Sequence, residues 1–296
     1  MDTQNDARHR AFTIDKRHHR DGAKTAQELT PNERIDAATS LVIDSGMCDE
    51  LAFDTCMEEA ILTHSCAIEG SELTLAEVSD LVERGHVISG MEEYSTMASD
   101  LGRAYAIGWE LASTGWPSPT TTMIKALNAL VMHGTGVMRN STNGPYDESR
   151  GEYRLIDVTA GAGGHSYLSW EKVPQMMEDT CAWLSSRMRN IGEMSASEVY
   201  ELSFQVHWLL VTIHPWSDGN GRTSRLVSNI VQAAGGVLPL YVRSDDKAEY
   251  LSALAASKET GSPDAFIDHM MAKTAQELEL MLAEHERSVN EMPSIP

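Results

Sequence analysis

Residues His214 to Arg225 read HPWSDGNGRTSR, a stretch that gathers a base, a carboxylate, a glycine-flanked backbone and two arginines. An imidazole with an unperturbed pKa near about 6.5 can take a proton from a hydroxyl attacking phosphorus, which makes His214 a candidate general base. A carboxylate beside phosphates is how proteins hold Mg²⁺, since this ion keeps most of its water and borrows oxygens from the substrate, and Asp218 stands where that would happen. Gly219, Asn220 and Gly221 open a helix, where backbone N–H groups lack intrahelical partners and the dipole favours an anion. Arg222 and Arg225 are three residues apart and share that helix's first turn, where a cation is disfavoured by about 0.3–1 kcal/mol. A bound polyphosphate would offset that cost. The combination predicts phosphate chemistry.

Two helices must position this loop. Ser195 and Glu198 form an S-x-x-E capping box ahead of an apolar stripe of Leu202, Val206, Leu209, Leu210 and Ile213. Pro215 ends that helix and disfavours helical geometry at His214, so the imidazole is expected to project outward. Leu226, Val227, Ile230, Val231 and Ala234 make a second stripe, stopped by Gly235-Gly236. Upstream, periodicity predicts two or three helices from Pro31 to Gly85, with a capping box at Thr74 and Glu77. Two more follow from Met91 to Gly134, broken by Thr114 to Pro119. Asn140 to Gly151 reads as a turn-rich loop, and Tyr153 to Tyr167 alternates like a hairpin tipped by Gly161 to Gly164. Further helices are expected near Trp170–Met188, Asp246–Ala256 and Pro263–Glu286. The fold class is mainly α with one small β-hairpin. Met1 to Thr30 is polar and aperiodic, hence a mobile arm, and the tail after His285 is expected to fray.

Composition bounds the rest. A chain of 296 residues with 42% hydrophobic content can bury a full core, and a net charge of -21 repels a phosphodiester backbone, which argues against nucleic acid as a partner. Four cysteines without metal-type spacing fit a reducing compartment. No basic start followed by an apolar run and no span-length apolar segment occurs, so no membrane partner is expected and the cytoplasm is the expected location.

The stretch from His214 resembles the signature of the Fic family, H-P-F-x-[DE]-G-N-G-R-x-x-R, with Trp216 in place of Phe. Gly151-Glu152-Tyr153-Arg154, the segment after it and Val173 to Leu184 are similar to the family's flap and following helix, and the resemblance runs from about residue 60 to 270. Ser65 to Gly70, SCAIEG, resembles the family's inhibitory motif [ST]-x-x-x-E-[GN]. That resemblance implies a helical bundle with a β-hairpin flap, divided into an arm at 1–30, a helical region with an inhibitory helix at 31–90, a catalytic core at 91–285 and a tail at 286–296. It implies transfer of AMP from ATP to a hydroxyl of a target protein, with release of pyrophosphate. In that reaction His214 is the base and Asp218 holds Mg²⁺. The Gly219–Gly221 amides and Asn220 cradle the α-phosphate, and Arg222 and Arg225 take the β- and γ-phosphates. The target would dock at the flap, about 155–168, as an added strand. Self-modification and a homodimer through exposed helical faces are also implied. Ser65 and Glu69 lie at i and i+4, so the hydroxyl is expected to steady the carboxylate. Glu69 is expected to pair bidentately with Arg225, in competition with the γ-phosphate. Two alternatives stay open: removal of AMP using Glu69, and a nucleotide-sensing module with little turnover.

Other candidates read as structural. His207, without a third ligand at zinc-type spacing, is expected to be packed or hydrogen-bonded. Gly161-Ala162-Gly163-Gly164 lacks the Lys-Ser/Thr of a phosphate loop. His18-His19 read as solvated tail, Trp170 and Trp183 as anchors under the flap, and Tyr250 as either a neighbour of the adenine or a core residue.

Overall fold

Ten α-helices and one two-stranded sheet make up the described part of the chain, which in this computed structural model comprises residue 18 and residues 29–49, 53–160 and 166–291. The order is α1 (Pro31–Ser45), α2 (Phe53–Ile68), α3 (Leu75–Arg84), α4 (Glu92–Ser113), α5 (Thr121–Val131), β1 (Met138–Ser141), β2 (Gly144–Asp147), α6 (Val173–Met188), α7 (Ala196–Ile213), α8 (Asn220–Ala234), α9 (Lys247–Thr260) and α10 (Asp264–Glu291). Full capping boxes start α1 at Thr30 and Glu33, α3 at Thr74 and Glu77, and α7 at Ser195 and Glu198. Each fixes two orphan N–H groups and so sets where the helix begins.

Helices α7 and α8 form the centre, packed on each other through Val206, Leu210, Leu226, Val227, Ile230 and Val231, all fully buried. α4 lies against α8 at Gly108, where a Cβ would come within 2.9 Å of Ile230 Cγ1, so a side chain there would push the helices apart. α8 is buried even on its polar side. It can be, because Asn229 Nδ2 donates to the Leu240 carbonyl at 2.7 Å, Tyr105 Oη donates to Asn229 Oδ1 at 2.7 Å and Gln232 Nε2 donates to Ser203 Oγ at 2.9 Å. α1 packs on α10 and α7, α2 on α3 and α4, and α9 on α10. No helix among the described residues is long and apolar enough to cross a membrane.

The structure corrects the expected strand positions. The hairpin overlaps the start of the expected loop, at Met138–Ser141 and Gly144–Asp147, paired antiparallel with Ser141 opposite Gly144. Between Tyr153 and Tyr167 the described residues hold only one isolated bridge, Thr159 to Ser166, with Tyr167 N donating to the Val158 carbonyl at 3.0 Å. The expected tip at Gly161–Gly164 lies outside the described residues. α10 runs on to Glu291 instead of fraying after His285. The expected arm at 1–30 lies mostly outside the described residues. Its His18 is not solvated: it is 4% exposed, with Nε2 at 3.0 Å from the Gly235 carbonyl.

Candidate active site

The bend between α7 and α8 is held by a set of hydrogen bonds, most of them to backbone. His214 caps α7 in the left-handed region, φ 51, a conformation that costs a residue with a Cβ about 1–2 kcal/mol. Arg154 holds it there. This arginine is fully buried and spends its guanidinium on carbonyls: Nε on His214 at 2.8 Å, Nη1 on Ile156 at 2.6 Å and Nη2 on Leu168, while its backbone N–H donates to Pro215 at 3.0 Å. One side chain thus fastens both ends of the segment 156–168 to the bend. Trp216 Nε1 donates to the Gly151 carbonyl at 3.0 Å, and Tyr146 Oη meets Ser217 Oγ at 2.7 Å. Replacing Arg154 with alanine would strand several buried carbonyls, each worth about 1–3 kcal/mol. Urea denaturation is expected to show a loss of about 3 kcal/mol for Arg154→Ala, and a loss below about 1 kcal/mol would contradict this account of the bend.

Asn220 differs from expectation. Its Oδ1 accepts from Trp216 N at 3.1 Å and its Nδ2 donates to the Trp216 carbonyl at 2.8 Å, so the side-chain amide staples the bend. Gly219, at φ 77, is the N-cap of α8; a Cβ there would meet Met132 Sδ at 2.7 Å. A Cβ on Gly221 would land on Glu69 Oε1. The anion position at the start of α8 therefore already holds a carboxylate.

Glu69 reaches this position from the turn that ends α2, where Gly70 takes φ 101. Arg225 Nη2 donates to Glu69 Oε1 at 2.6 Å, but the pair is not bidentate. Two further contacts go to Ser65, Nε donating to Ser65 Oγ at 2.9 Å and Nη2 to the Ser65 carbonyl at 3.0 Å, and the Tyr250 hydroxyl also interacts with the guanidinium. Ser65 thus orients the arginine, where a role in steadying the glutamate was expected. Burial pushes the Glu69 carboxyl up, yet the charge and hydrogen bond of Arg225, with Arg222 and Lys247 behind it, outweigh burial and hold it below the usual range. Its side chain remains 30% exposed, so this pair is open to competition from solution.

Arg222 is 2% exposed and poorly satisfied. Nη2 lies 3.3 Å from Met132 Sδ and 3.4 Å from Asp218 Oδ1, both weak contacts, while Nε and Nη1 have no partner. A buried guanidinium with two orphan nitrogens needs an acceptor that the described residues do not supply. Asp218 is turned back, Oδ1 accepting from Gly219 N at 2.6 Å, and its side chain is 56% exposed. No group of three or more His, Cys, Asp or Glu among the described residues could hold a metal by itself. One exposed carboxylate beside an anion position does suit Mg²⁺, which takes its other ligands from phosphate and water.

His214 is half-buried, with its ring stacked on Tyr167 at a centroid distance of 3.9 Å, instead of projecting freely. Burial, then the charge of Arg154, lowers its pKa to about 4, with Lys258 adding to the shift and Asp218 opposing it. His207 is a buried structural residue as expected, its Nε2 at 2.9 Å from Tyr250 Oη, and burial lowers its pKa to about 3. Tyr250, 2% exposed, belongs to this core. Sequence reasoning missed Arg154, Tyr167 and Lys258 as parts of the site. Arg154 and Tyr167 carried a signal, both standing in the stretch similar to the family's flap.

Comparison with known proteins places the same residues in a family context. A sequence model of the Fic/DOC family matches residues 118–231, which contain the bend and both flanking helices. "Protein adenylyltransferase fic-1" of Caenorhabditis elegans is 28% identical over 193 residues, covering 64% of this chain and 35% of that protein. "Protein adenylyltransferase Fic" of Aedes aegypti is 25% identical over 260 residues, covering 84% and 47%. The chain spans less than half the length of these curated relatives. Among solved structures, a Fic domain-containing signalling protein from Bacteroides thetaiotaomicron superposes with a TM-score of 0.70 at 19% identity, over 86% of this chain and 97% of that one. Fic-1 from C. elegans gives 0.70 at 19%, over 87% and 73%. These likenesses bear out a mainly helical fold with a small two-stranded sheet.

Proposed function

Because the chain belongs to the Fic family, we propose that it is a self-inhibited protein adenylyltransferase, moving AMP from ATP to a Ser, Thr or Tyr hydroxyl of a target protein and releasing pyrophosphate. The observation that carries this reading is Arg222. Its two orphan nitrogens sit at the start of a helix whose anion position is filled by the chain's own Glu69. In a protein of net charge -21, a buried cation pair with one carboxylate between them is a site kept for a multiply charged anion.

In this reading Arg222 and Arg225 hold the β- and γ-phosphates, and the N–H groups at Gly219–Gly221 hold the α-phosphate. Asp218 would hold Mg²⁺, which when bound neutralises charge on the phosphates. His214 is neutral above its lowered pKa and so stands ready to take the proton of the attacking hydroxyl. The stack on Tyr167 covers one face of the imidazole, and its Nδ1 is buried without a hydrogen-bond partner among the described residues. Arg154, by anchoring both the bend and segment 156–168, keeps the base in register with the surface where a target strand would add. Glu69 occupies Arg225 and blocks the γ-phosphate from its productive place.

The test is incubation with ATP labelled at the α- or the γ-phosphate. Protein should acquire the α-label and not the γ-label, whereas γ-label on protein would replace the reading with phosphorylation. A second reading is supported by the place of Glu69 over Gly221: there it could activate water and remove AMP from a modified protein.

A further inference from the structure

α2 is fastened to the rest of the protein at a second point, one residue before Ser65. The backbone N–H of Ser244 donates to His64 Nδ1 at 3.1 Å, and the Ser244 hydroxyl lies 3.1 Å from the same nitrogen. The half-buried imidazole also stacks on Tyr241, with ring centroids 4.7 Å apart and planes 8° from parallel. Ser244 and Tyr241 belong to the connection from α8 to α9, which runs on after Asp246 into Lys247. Lys247 is one of the cations that hold the Glu69 carboxyl charged. The clasp at His64 therefore sets two things at once: the register of the turn that presents Glu69, a little over one helical turn further on, and the position of a cation that acts on it.

A backbone N–H needs a lone pair to donate to, so Nδ1 carries no proton and the ring is neutral, with its one N–H at Nε2. An imidazolium would turn a second N–H on that of Ser244 and lose the contact. The charges that act most on the ring sit on two elements. On the connection, Arg243 opposes a second positive charge and Asp245 favours one. On α10, Glu277 favours one, yet both of its oxygens are engaged by Arg243, at 2.8 Å each. Burial and Arg243 prevail and hold the His64 pKa below the ordinary histidine value. Released from the clasp, the ring would return to that value. Release thus takes up a proton, so the clasp has its full strength above about pH 6.5 and loses it as the pH falls. The connection has room to yield, since Tyr241, Val242 and Arg243 wall a cavity of about 260 Å³ against α10, where a close-packed wall would resist.

We propose that His64 is a positioning residue for the inhibitory carboxylate, a neutral-ring clasp between α2 and the α8–α9 connection that opens on proton uptake and lets Glu69 leave Arg225. This rests on the self-inhibited reading of the site, and goes beyond it by naming what holds the inhibitor in place and a condition that frees it. The inhibitory pair itself does not titrate in that window, because Glu69 is held below the usual carboxylate range and Arg225 above the usual guanidinium range. His214, with its pKa lowered to about 4, stays neutral across it.

Incorporation of α-labelled phosphate from ATP, followed from about pH 7.5 down to about pH 5.5, separates the clasp from the inhibitor it holds. Wild-type labelling should rise by up to about tenfold on acidification, while Glu69→Gly, with no inhibitor to release, stays level. At neutral pH His64→Phe keeps a ring on Tyr241 without the acceptor, and should label about two- to tenfold more than wild type, the worth of one hydrogen bond, with no further rise in acid. His64→Asn offers a non-titrating oxygen near the place of Nδ1 and should stay inhibited at every pH. The double variant Glu69→Gly/His64→Phe should label as Glu69→Gly does, which reports that it is folded and that His64 acts only through Glu69. A level wild-type profile, a His64→Phe protein as quiet as wild type, or a double variant that loses labelling overturns the proposal. So does an acid rise that persists in His64→Phe, which would pass the role to another group such as His269 on α10. If Glu69→Gly labels no more than wild type at neutral pH, it is the self-inhibited reading itself that fails, visibly and before His64 is touched.

Discussion

Glycine in place of Glu69 is expected to raise incorporation of α-labelled phosphate from ATP by about ten- to a hundredfold, the worth of a charge-assisted pair released from competition. Glu69 Oε1 meets Arg225 Nη2 at 2.6 Å and occupies the space above Gly221, so removing the side chain frees both the guanidinium and the start of α8. The same change leaves Arg225, 6% exposed, with Ser65 and the Tyr250 hydroxyl as partners but no carboxylate, an uncompensated buried charge. The variant should therefore unfold at a lower temperature than the parent in the absence of nucleotide and regain that loss when MgATP is added, because a ligand that binds only the folded state stabilises it. A glutamate with a merely structural role would show the first effect without the second, and without the gain in labelling. Should the variant instead lose an ability to strip AMP from a modified protein, Glu69 is the base of the reverse reaction. ATP binding with no labelling at all would leave a nucleotide-sensing module.

How far this site could be read from sequence depends on which physics made each part. The helices around the bend were legible because capping boxes and apolar stripes are local. Ser195 with Glu198, and Thr74 with Glu77, start α7 and α3 where their side chains say they should. The motif's residue types were legible too, since the base, the carboxylate and the two arginines lie within one short stretch. The hairpin was misplaced because alternation in Tyr153–Tyr167 marks extended chain, and the described part of that chain is tied to the bend through Arg154 and to itself by one isolated bridge, not by a strand ladder. The better turn signal was Asn143-Gly144, where Gly144 takes φ 119 next to the two-residue loop. Spacing placed Ser65 and Glu69 on one face of α2 but could not say how Arg225, from α8, would divide its nitrogens between them. Nor does any periodicity announce a lysine like Lys258, whose stem reads as surface and whose ammonium is out of water.

Loss of the His214 imidazole should lower labelling by about 10²- to 10⁴-fold, the range for removing a general base, when measured in the Glu69→Gly protein so that competition does not mask it. The bend should survive the change, because Arg154 grips the His214 carbonyl and not its ring, and Asn220 grips the backbone of Trp216. His214→Asn is the sharper variant than His214→Ala: asparagine tolerates the left-handed φ of 51 that the bend requires, so a drop in rate cannot be assigned to a refolded turn. The pH dependence follows from the same burial. With its pKa lowered to about 4 by desolvation and by Arg154, His214 is already neutral throughout the range in which an exposed histidine would still be titrating. Activity measured as kcat/KM should then stay level from neutrality down to about pH 5 and fall only below it, as the free enzyme's base takes up its proton. An acid limb centred near the ordinary histidine value would mean that the ring is more open to water than the Tyr167 stack allows. A His214→Asn rate within tenfold of its parent would mean that some other group takes the hydroxyl's proton.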